Sequence, residues 1–353
     1  MRRLALWQKI ALSLAILMIG HGIALKIREH TARKLHAAPT VHDEAGLFSP
    51  AQITALENYH RALLHEHDID YRILTVKNGP ASDINRLAHT AFREREAGKR
   101  SKSGRGLLLL IDAGGDEVRL EISAALEPVY TDAFTSYLQH RQMIPFFRTG
   151  RVADGILATT ELIVTRAQQA EAGQEFIPPM TSTSTGGGAA NPADINKGAD
   201  HSFRNAPDVQ TKNGDPAGVL QAYLAARENR NANPSLSIYS RSTRAMLKKW
   251  TVTPAQMDNE ARSIKRCGAG EMRAGDSHAV IRYTPGQRQC SPYFFVFEDG
   301  AWRLELTMMQ KAIRFNHRNE WHFDKNWPPA QEPYGFAFRD WRFDRSGFPH
   351  PAK

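Results

Sequence analysis

Two cysteines, Cys267 and Cys290, are all that the 353 residues contain, and both lie in the C-terminal half. The N-terminal half therefore has no thiol, which excludes cysteine nucleophilic catalysis there. The chain also lacks a glycine-serine nucleophile elbow, a Walker loop and a dinucleotide fingerprint, so the common nucleotide and serine-hydrolase signatures are missing. No HExxH motif is present, and although His60, His65 and His67 are close in sequence, helical spacing puts His65 and His67 on different faces, against a zinc site. A clustered basic and aromatic face is missing as well. Forty-six Lys and Arg against 37 Asp and Glu leave a formal charge of +9, but the two signs are interspersed through most of the chain, and no nucleic-acid partner is expected.

Long apolar runs are equally scarce, with one exception. Ile10 to Leu25 is apolar almost throughout, Leu4 to Trp7 extends it upstream, and Arg2, Arg3, Lys26, Arg28, Arg33 and Lys34 flank it. A spanning helix needs about 20 apolar residues, with Lys9 able to snorkel to the interface. A cleaved signal peptide is the competing reading, since Ala37-Ala38 lies downstream. The polar Lys26-Ile-Arg-Glu-His stretch separates the apolar core from that site, which favours an uncleaved anchor. Basic residues on both sides leave orientation open. The two cysteines fall on successive expected strands, a placement that permits a Cys267–Cys290 disulfide in an oxidising compartment; two separate buried thiols are the alternative.

The pattern divides the chain into a membrane anchor and juxtamembrane segment (1–36), an α/β unit (37–170), a disordered linker (171–214), an α+β unit (215–325) and an aromatic, Pro-rich tail (326–353). In the first unit Ser49-Pro50 reads as a helix N-cap with proline at the first helical position. Tyr71 to Val76 is a strand and Asp83 to Ala97 an amphipathic helix. Leu107 to Ile111 is apolar on both faces, reads as a central strand, and ends on Asp112. Glu117 to Ile122 alternates like a strand with one wet face. Helices follow from about Asp132 to Phe147 and from Val152 to Ala167. The linker, with Pro178-Pro179, Thr181 to Thr185 and Gly186 to Gly188, lacks periodicity and apolar content. In the second unit three helices precede three strands, the last two joined at Asp299-Gly300 as a tight hairpin, and the tail is expected to lie against that sheet. Tyr283, Phe295, Trp302 and Met308 are candidates for lining a pocket there, or ordinary core.

Several pieces of the first unit occur in a familiar order: Val41-His-Asp-Glu-Ala-Gly-Leu-Phe-Ser49, the Gly106 to Ile111 strand, Val118 to Ile122, Leu126-Glu127 with Asp132, and Pro145-Phe-Phe-Arg-Thr-Gly150. Together they resemble the TPM domain of thylakoid-lumen and extracytoplasmic bacterial proteins, over about Ala38 to Ala167. The resemblance implies a compact α/β sandwich, commonly membrane-anchored and exported, with some members acid phosphatases and some calcium binders. It also favours an outward-facing domain. Two stretches depart from the pattern: Ser103-Gly104-Arg105 stands where a small acidic or amide pair is usual, and Ser123-Ala124-Ala125 where glycines are usual. Arg105 adds like charge to a cation site, and the missing glycines limit close backbone approach to a ligand. The second unit is faintly similar to an NTF2-like cone domain, an architectural likeness that implies no function.

Asp43, Glu127 and Asp132 follow from the family pattern as candidate metal ligands, and Asp112 joins them from its place at a strand end, where ligands collect in open α/β sheets. Together these four would hold Ca²⁺ or Mg²⁺ through several oxygens at once; the competing reading is that they cap turns and helices. Arg148 is a candidate for binding a phosphate or acidic ligand, or else pairs with a local carboxylate. The reading is therefore a TPM-like α/β sandwich followed by an NTF2-like α+β cone domain, behind an N-terminal transmembrane helix. Its expected address is the bacterial inner membrane, with the soluble parts periplasmic. Its expected role is a binding or assembly module with a protein partner at the membrane surface, or alternatively a weak divalent-metal-dependent phosphatase.

Overall fold

The computed structural model describes residues 38–79, 83–177, 190–198, 204–211, 214–326 and 333–352. The expected anchor over 1–36 lies outside the described residues, among which no helix is long and apolar enough to cross a membrane.

The first unit is built around a five-stranded sheet in sequential order. Strands β1 (Val41–Asp43), β2 (Asp70–Val76) and β3 (Gly106–Asp112) run parallel. Strand β4 (Glu117–Ile122) returns antiparallel, with Leu107 opposite Ile122 and Asp112 opposite Glu117. All seven residues of β3 are buried. Leu107, Leu109 and Ile111 enter one core, and Leu108 and Leu110 enter another on the opposite face. This double burial explains the unbroken apolar run, because side chains alternate across a strand.

The first core is covered by helix α1 (Pro50–His67) and by a later helical layer; helix α2 (Ile84–Glu94) covers the second through Ile84, Ala88 and Ala91. Ser49 and Gln52 form a reciprocal capping box at the start of α1, satisfying amides that have no partner in the helix. The later layer starts with α3 (Asp132–Leu138), widens into a π turn over Gln139–Met143, and tightens again in α4 (Ile144–Arg148). Pro145 has no N–H to give and its ring crowds the preceding turn, which accounts for the interruption of a segment that reads as one helix. Helix α5 (Val152–Glu171) completes the layer.

The segment expected to be a disordered linker over 171–214 includes one strand among its described residues. Asn191 and Pro192 form β5, pairing antiparallel with Val118 and Glu117 at the edge of the sheet. Ala193 donates its N–H to Asp116 O at 2.7 Å. Two-residue pairing through the backbone leaves no side-chain periodicity to read.

The second unit packs helices α6 (Pro216–Glu228), α7 (Arg241–Lys249) and α8 (Pro254–Cys267) on one face of a four-stranded antiparallel meander. Its strands are β6 (Glu271–Ala274), β7 (His278–Arg282), β8 (Tyr293–Glu298) and β9 (Ala301–Leu304). Asp299 and Gly300 both have positive φ in the β8–β9 turn, as a primed hairpin requires. The opposite face carries Val280 and Phe294 beneath Trp321, Phe323, Tyr334 and Phe338. The aromatic tail thus covers the sheet, and Arg282 fastens it with two hydrogen bonds of 2.6 Å to the Asp340 carboxylate. Tyr283, Phe295 and Trp302 pack on the helix side and Met308 on the tail side, so they line no common pocket.

The two units share a packed boundary. Ala255 is buried in the first unit's core. Thr253 donates to Gln142 of the π turn at 2.5 Å, and Glu66 accepts from His317 and Arg318 at 2.6 and 2.8 Å. Cys267 and Cys290 are joined by a disulfide, with Cα atoms 5.7 Å apart; they sit at the end of α8 and in the β7–β8 loop, not on successive strands. Closing this loop removes conformational freedom from the unfolded chain worth about 3 kcal/mol. A Cys267→Ala/Cys290→Ala variant is expected to lose about that much in urea unfolding of the second unit. Dithiothreitol should reproduce the loss in the parent and leave the variant unchanged.

Candidate functional site

The carboxyl edge of the parallel strands is where the sequence directs attention first. Asp43 and Asp112 stand there, separated by β2, since Asp43 pairs with Thr75 and Asp112 with Val76. Both carboxylates are engaged by the protein. Asp43 accepts from Leu47 N at 2.9 Å, Phe48 N at 2.8 Å and Thr75 Oγ1 at 2.5 Å. Asp112, with no exposed surface, accepts from the amides of Asn78, Gly114 and Gly115 at 2.9, 3.0 and 3.0 Å. The β2 and β3–β4 loops meet so closely here that a Cβ on Gly114 would lie 1.6 Å from Asn78 O.

Glu127 and Asp132 are elsewhere. Strand β4 runs back along β3, and the chain leaves it at Ile122, opposite Leu107. Both residues therefore follow from the far edge of the sheet, a strand length of about 20 Å from Asp112, and both are exposed. Asp132 occupies the first turn of α3 behind the cap Thr131. The expected cage of Asp43, Asp112, Glu127 and Asp132 is thus not assembled, because β4 is antiparallel. Among the described residues no group of three or more His, Cys, Asp or Glu could hold a metal ion. The expected ligand-binding Arg148 donates to Gly198 O at 3.0 Å and pairs with Asp194 at 3.5 Å. It ties α4 to the segment that follows β5.

A large cavity lies on another side of the first unit. It measures about 870 Å³ and opens between α1, residues 38–40 and the loops around Asp68 and Arg100. Ile53, Glu57, His60 and Leu64 line it from α1, a spacing that puts all four on one helical face. Tyr71 adds a second apolar surface, its ring centroid 4.4 Å from that of His60.

A chain of hydrogen bonds runs through this wall. Glu57 Oε1 accepts from Thr40 N and Val41 N at 2.6 and 3.0 Å, and Oε2 from Thr40 Oγ1 at 2.7 Å. Thr40 Oγ1 is also 2.5 Å from His60 Nδ1. Although burial raises the Glu57 carboxyl, the bonds from Thr40 and Val41 hold it below its ordinary range, so it accepts and does not donate. The single Thr40 hydroxyl proton goes to Glu57, and Thr40 Oγ1 must accept from His60 Nδ1–H. His60 Nε2 then carries the lone pair, buried and without a hydrogen-bond partner among the described residues. Burial lowers the His60 pKa to about 3, against the pull of Glu57 and with the help of Arg100. The imidazole is neutral at any physiological pH.

The cavity's acids are all satisfied internally. Asp68 accepts from Lys102 N, Ser103 N and Ser103 Oγ at 2.7, 3.1 and 2.7 Å. Asp70 accepts from Arg72, Gly98 N and Arg100 N. The cations are less engaged: Arg61 reaches only Asn58, Arg100 bonds Ala38 O while its Nε has no partner, and Lys102 is exposed without an ion pair among the described residues. The arrangement sets cations beside an apolar surface, which can take an acidic group on an apolar body, and His60 Nε2 is an unused acceptor buried in the wall. Glu57 and Thr40 escape a sequence reading. The one visible signal is the i, i+3 spacing of Glu57 and His60 on the inner face of α1.

With the geometry in hand, residues 41–166 match the family model TPM_phosphatase, described as TPM domain, and the first unit is a TPM domain. A similar solved structure is the solution NMR structure of the N-terminal domain of a protein from P. gingivalis. It is 25% identical, covers 40% of this chain and 88% of that one, and superposes with a TM-score of 0.35. No curated protein matches the chain.

Two measurements check the roles assigned to these groups. His60 is neutral when folded and takes a proton when unfolded below its ordinary value of 6.5. Stability conferred by its burial is therefore lost as pH falls from about 6.5 toward 3. Replacing His60 with Gln is expected to flatten the stability–pH slope in that window by as much as about 1.4 kcal/mol per pH unit. Asp112→Ala, which removes a buried carboxylate that accepts from three loop amides, should cost about 2–4 kcal/mol in chemical denaturation. Asp132→Ala should change stability by less than about 1 kcal/mol.

Proposed function

We propose that this TPM-domain protein is a binding module held at the periplasmic face of a bacterial inner membrane by its leading apolar stretch. In this reading it receives an acidic ligand with an apolar body in the cavity beneath α1. The observation that carries the proposal is the charge state of that cavity. Its three carboxylates have their lone pairs taken up by backbone and side-chain donors, and although Arg100 feels the charges of Asp70 and Glu57, Arg61 and Lys102 reach no carboxylate among the described residues, beside an apolar floor of Ile53, Leu64 and Tyr71. A ligand that also offers a hydroxyl donor would complete His60 Nε2. The tether and address are supported by the Ile10 to Leu25 run, by the family resemblance, and by the Cys267–Cys290 bond, which an oxidising compartment permits. The reading as a metal-dependent phosphatase loses its support because the acids it needs lie at opposite edges of the sheet.

Phenyl phosphate at pH 6 is a suitable probe, combining an aromatic body, an anion and a remaining P–OH. At ten times its Kd it should stabilise the parent by about 1.4 kcal/mol, read as a rise in Tm. Lys102→Glu should reduce this rise, and Asp43→Asn should not. No Ca²⁺- or Mg²⁺-stimulated hydrolysis of 4-nitrophenyl phosphate is expected. Hydrolysis that either ion stimulates and that both Asp43→Ala and Asp132→Ala abolish would overturn the proposal, as would a Tm unmoved by phenyl phosphate.

A further inference from the structure

Helix α7 presents a second, separate feature. It buries Thr243 and Leu247 against the second unit's core and turns Arg241, Ala245, Lys248 and Lys249 fully outward, with Arg244 half-buried. Trp250 follows at once and is 40% exposed. Arg204, from the segment read as linker, donates to the carbonyls of Leu247, Lys248 and Trp250 at 2.7, 3.2 and 3.5 Å. That contact brings a fifth cation to the end of the helix. Two acids stand at the start of the helix: Asp299 pairs with the Arg241 guanidinium, and Glu298 accepts from Arg241 N at 3.0 Å. Arg244, Lys248 and Lys249 have no carboxylate partner among the described residues. An open depression of about 650 Å³ lies over Arg241, Arg244, Lys248 and Lys249, and another, of about 430 Å³, joins Lys248 to Arg204.

We propose that this face of α7 docks on anionic lipid headgroups, holding the second unit against the membrane surface. The argument is charge complementarity with an aromatic at the right depth. A juxtamembrane cation near an anionic leaflet contributes about 1 kcal/mol, and the amphipathic indole of Trp250 suits the headgroup layer. The apolar side of α7 is already committed to the core, so the helix rests on the surface and does not insert. A single-stranded nucleic acid is a poorer fit, because it is held by several stacking aromatics along a groove and α7 offers one. The inference is independent of the cavity and rests on the proposed tether only for bringing the protein to the bilayer.

The test uses the full chain carrying Ala245→Cys, labelled at that thiol with an environment-sensitive fluorophore and reconstituted into nanodiscs. The discs contain phosphatidylcholine alone or with about one-third phosphatidylglycerol, and each composition is repeated with brominated acyl chains. In the anionic discs brominated lipid should at least halve the emission at low salt. Half-molar NaCl or Lys248→Glu/Lys249→Glu should restore it, whereas Lys102→Glu should not. Equal emission in neutral and anionic discs, with the chain embedded in both, overturns the docking. If the chain stays with neither disc, the tether is what fails. Docking is then decided on phosphatidylglycerol vesicles, where quenching lost in the double Lys variant upholds it and no quenching overturns it. A shift produced equally by a single-stranded oligonucleotide without lipid also overturns the lipid assignment.

Discussion

A strand with no polar face must be covered on both sides, and β3 imposes that requirement on the first unit. Leu107, Leu109 and Ile111 demand a layer on one face, Leu108 and Leu110 a layer on the other. Helix α2 meets the second demand, and α1 with α5 meets the first. Once α1 lies across the sheet, its inner row continues past the strand ends, and Ile53, Glu57, His60 and Leu64 form one wall of a cavity with Thr40 and Tyr71. The cavity follows from how the central strand is covered.

The same geometry decides which charges are available. Acids near strand ends and helix ends meet backbone amides, and this chain uses them that way. Asp43 and Asp112 organise loops at the carboxyl edge, and Asp68 and Asp70 organise the loop that ends at Arg105. Each such carboxylate is consumed by the local fold, since a buried acceptor without donors would be costly. Several cations, Arg61, Lys102, Arg244, Lys248 and Lys249 among them, instead reach no carboxylate among the described residues. Two of the places where such cations gather among the described residues are the rim of the cavity and the outer face of α7.

The legible parts of this fold were those carried by side-chain pattern or local turn chemistry. The apolar run of β3, the Ser49-Pro50 helix start and the Asp299-Gly300 hairpin each announce themselves within a few residues, and the structure has them. The TPM resemblance, built from pieces in order, matches the span of the family model. What sequence could not supply is direction. Nothing in Glu117 to Ile122 says that the strand runs antiparallel, yet that reversal puts Glu127 and Asp132 at the far edge from Asp43 and Asp112. Strand β5 rests on backbone pairing of two residues, invisible to periodicity. Thr40 and His60 are twenty residues apart, and the α7 face needs Arg204 from a segment without pattern, so both surfaces exist only once the chain is folded.

The central claim is that the functional surface of the TPM domain is the cavity walled by Glu57, Thr40 and neutral His60, and not the carboxyl edge. Nitrogen-15 NMR of the His60 imidazole at pH 6, with and without phenyl phosphate, tests it most directly. The account predicts a neutral ring protonated at Nδ1, with an Nε2 signal that moves toward its hydrogen-bonded value as phenyl phosphate is added. A protonated ring, the opposite tautomer, or an Nε2 signal indifferent to phenyl phosphate would contradict it.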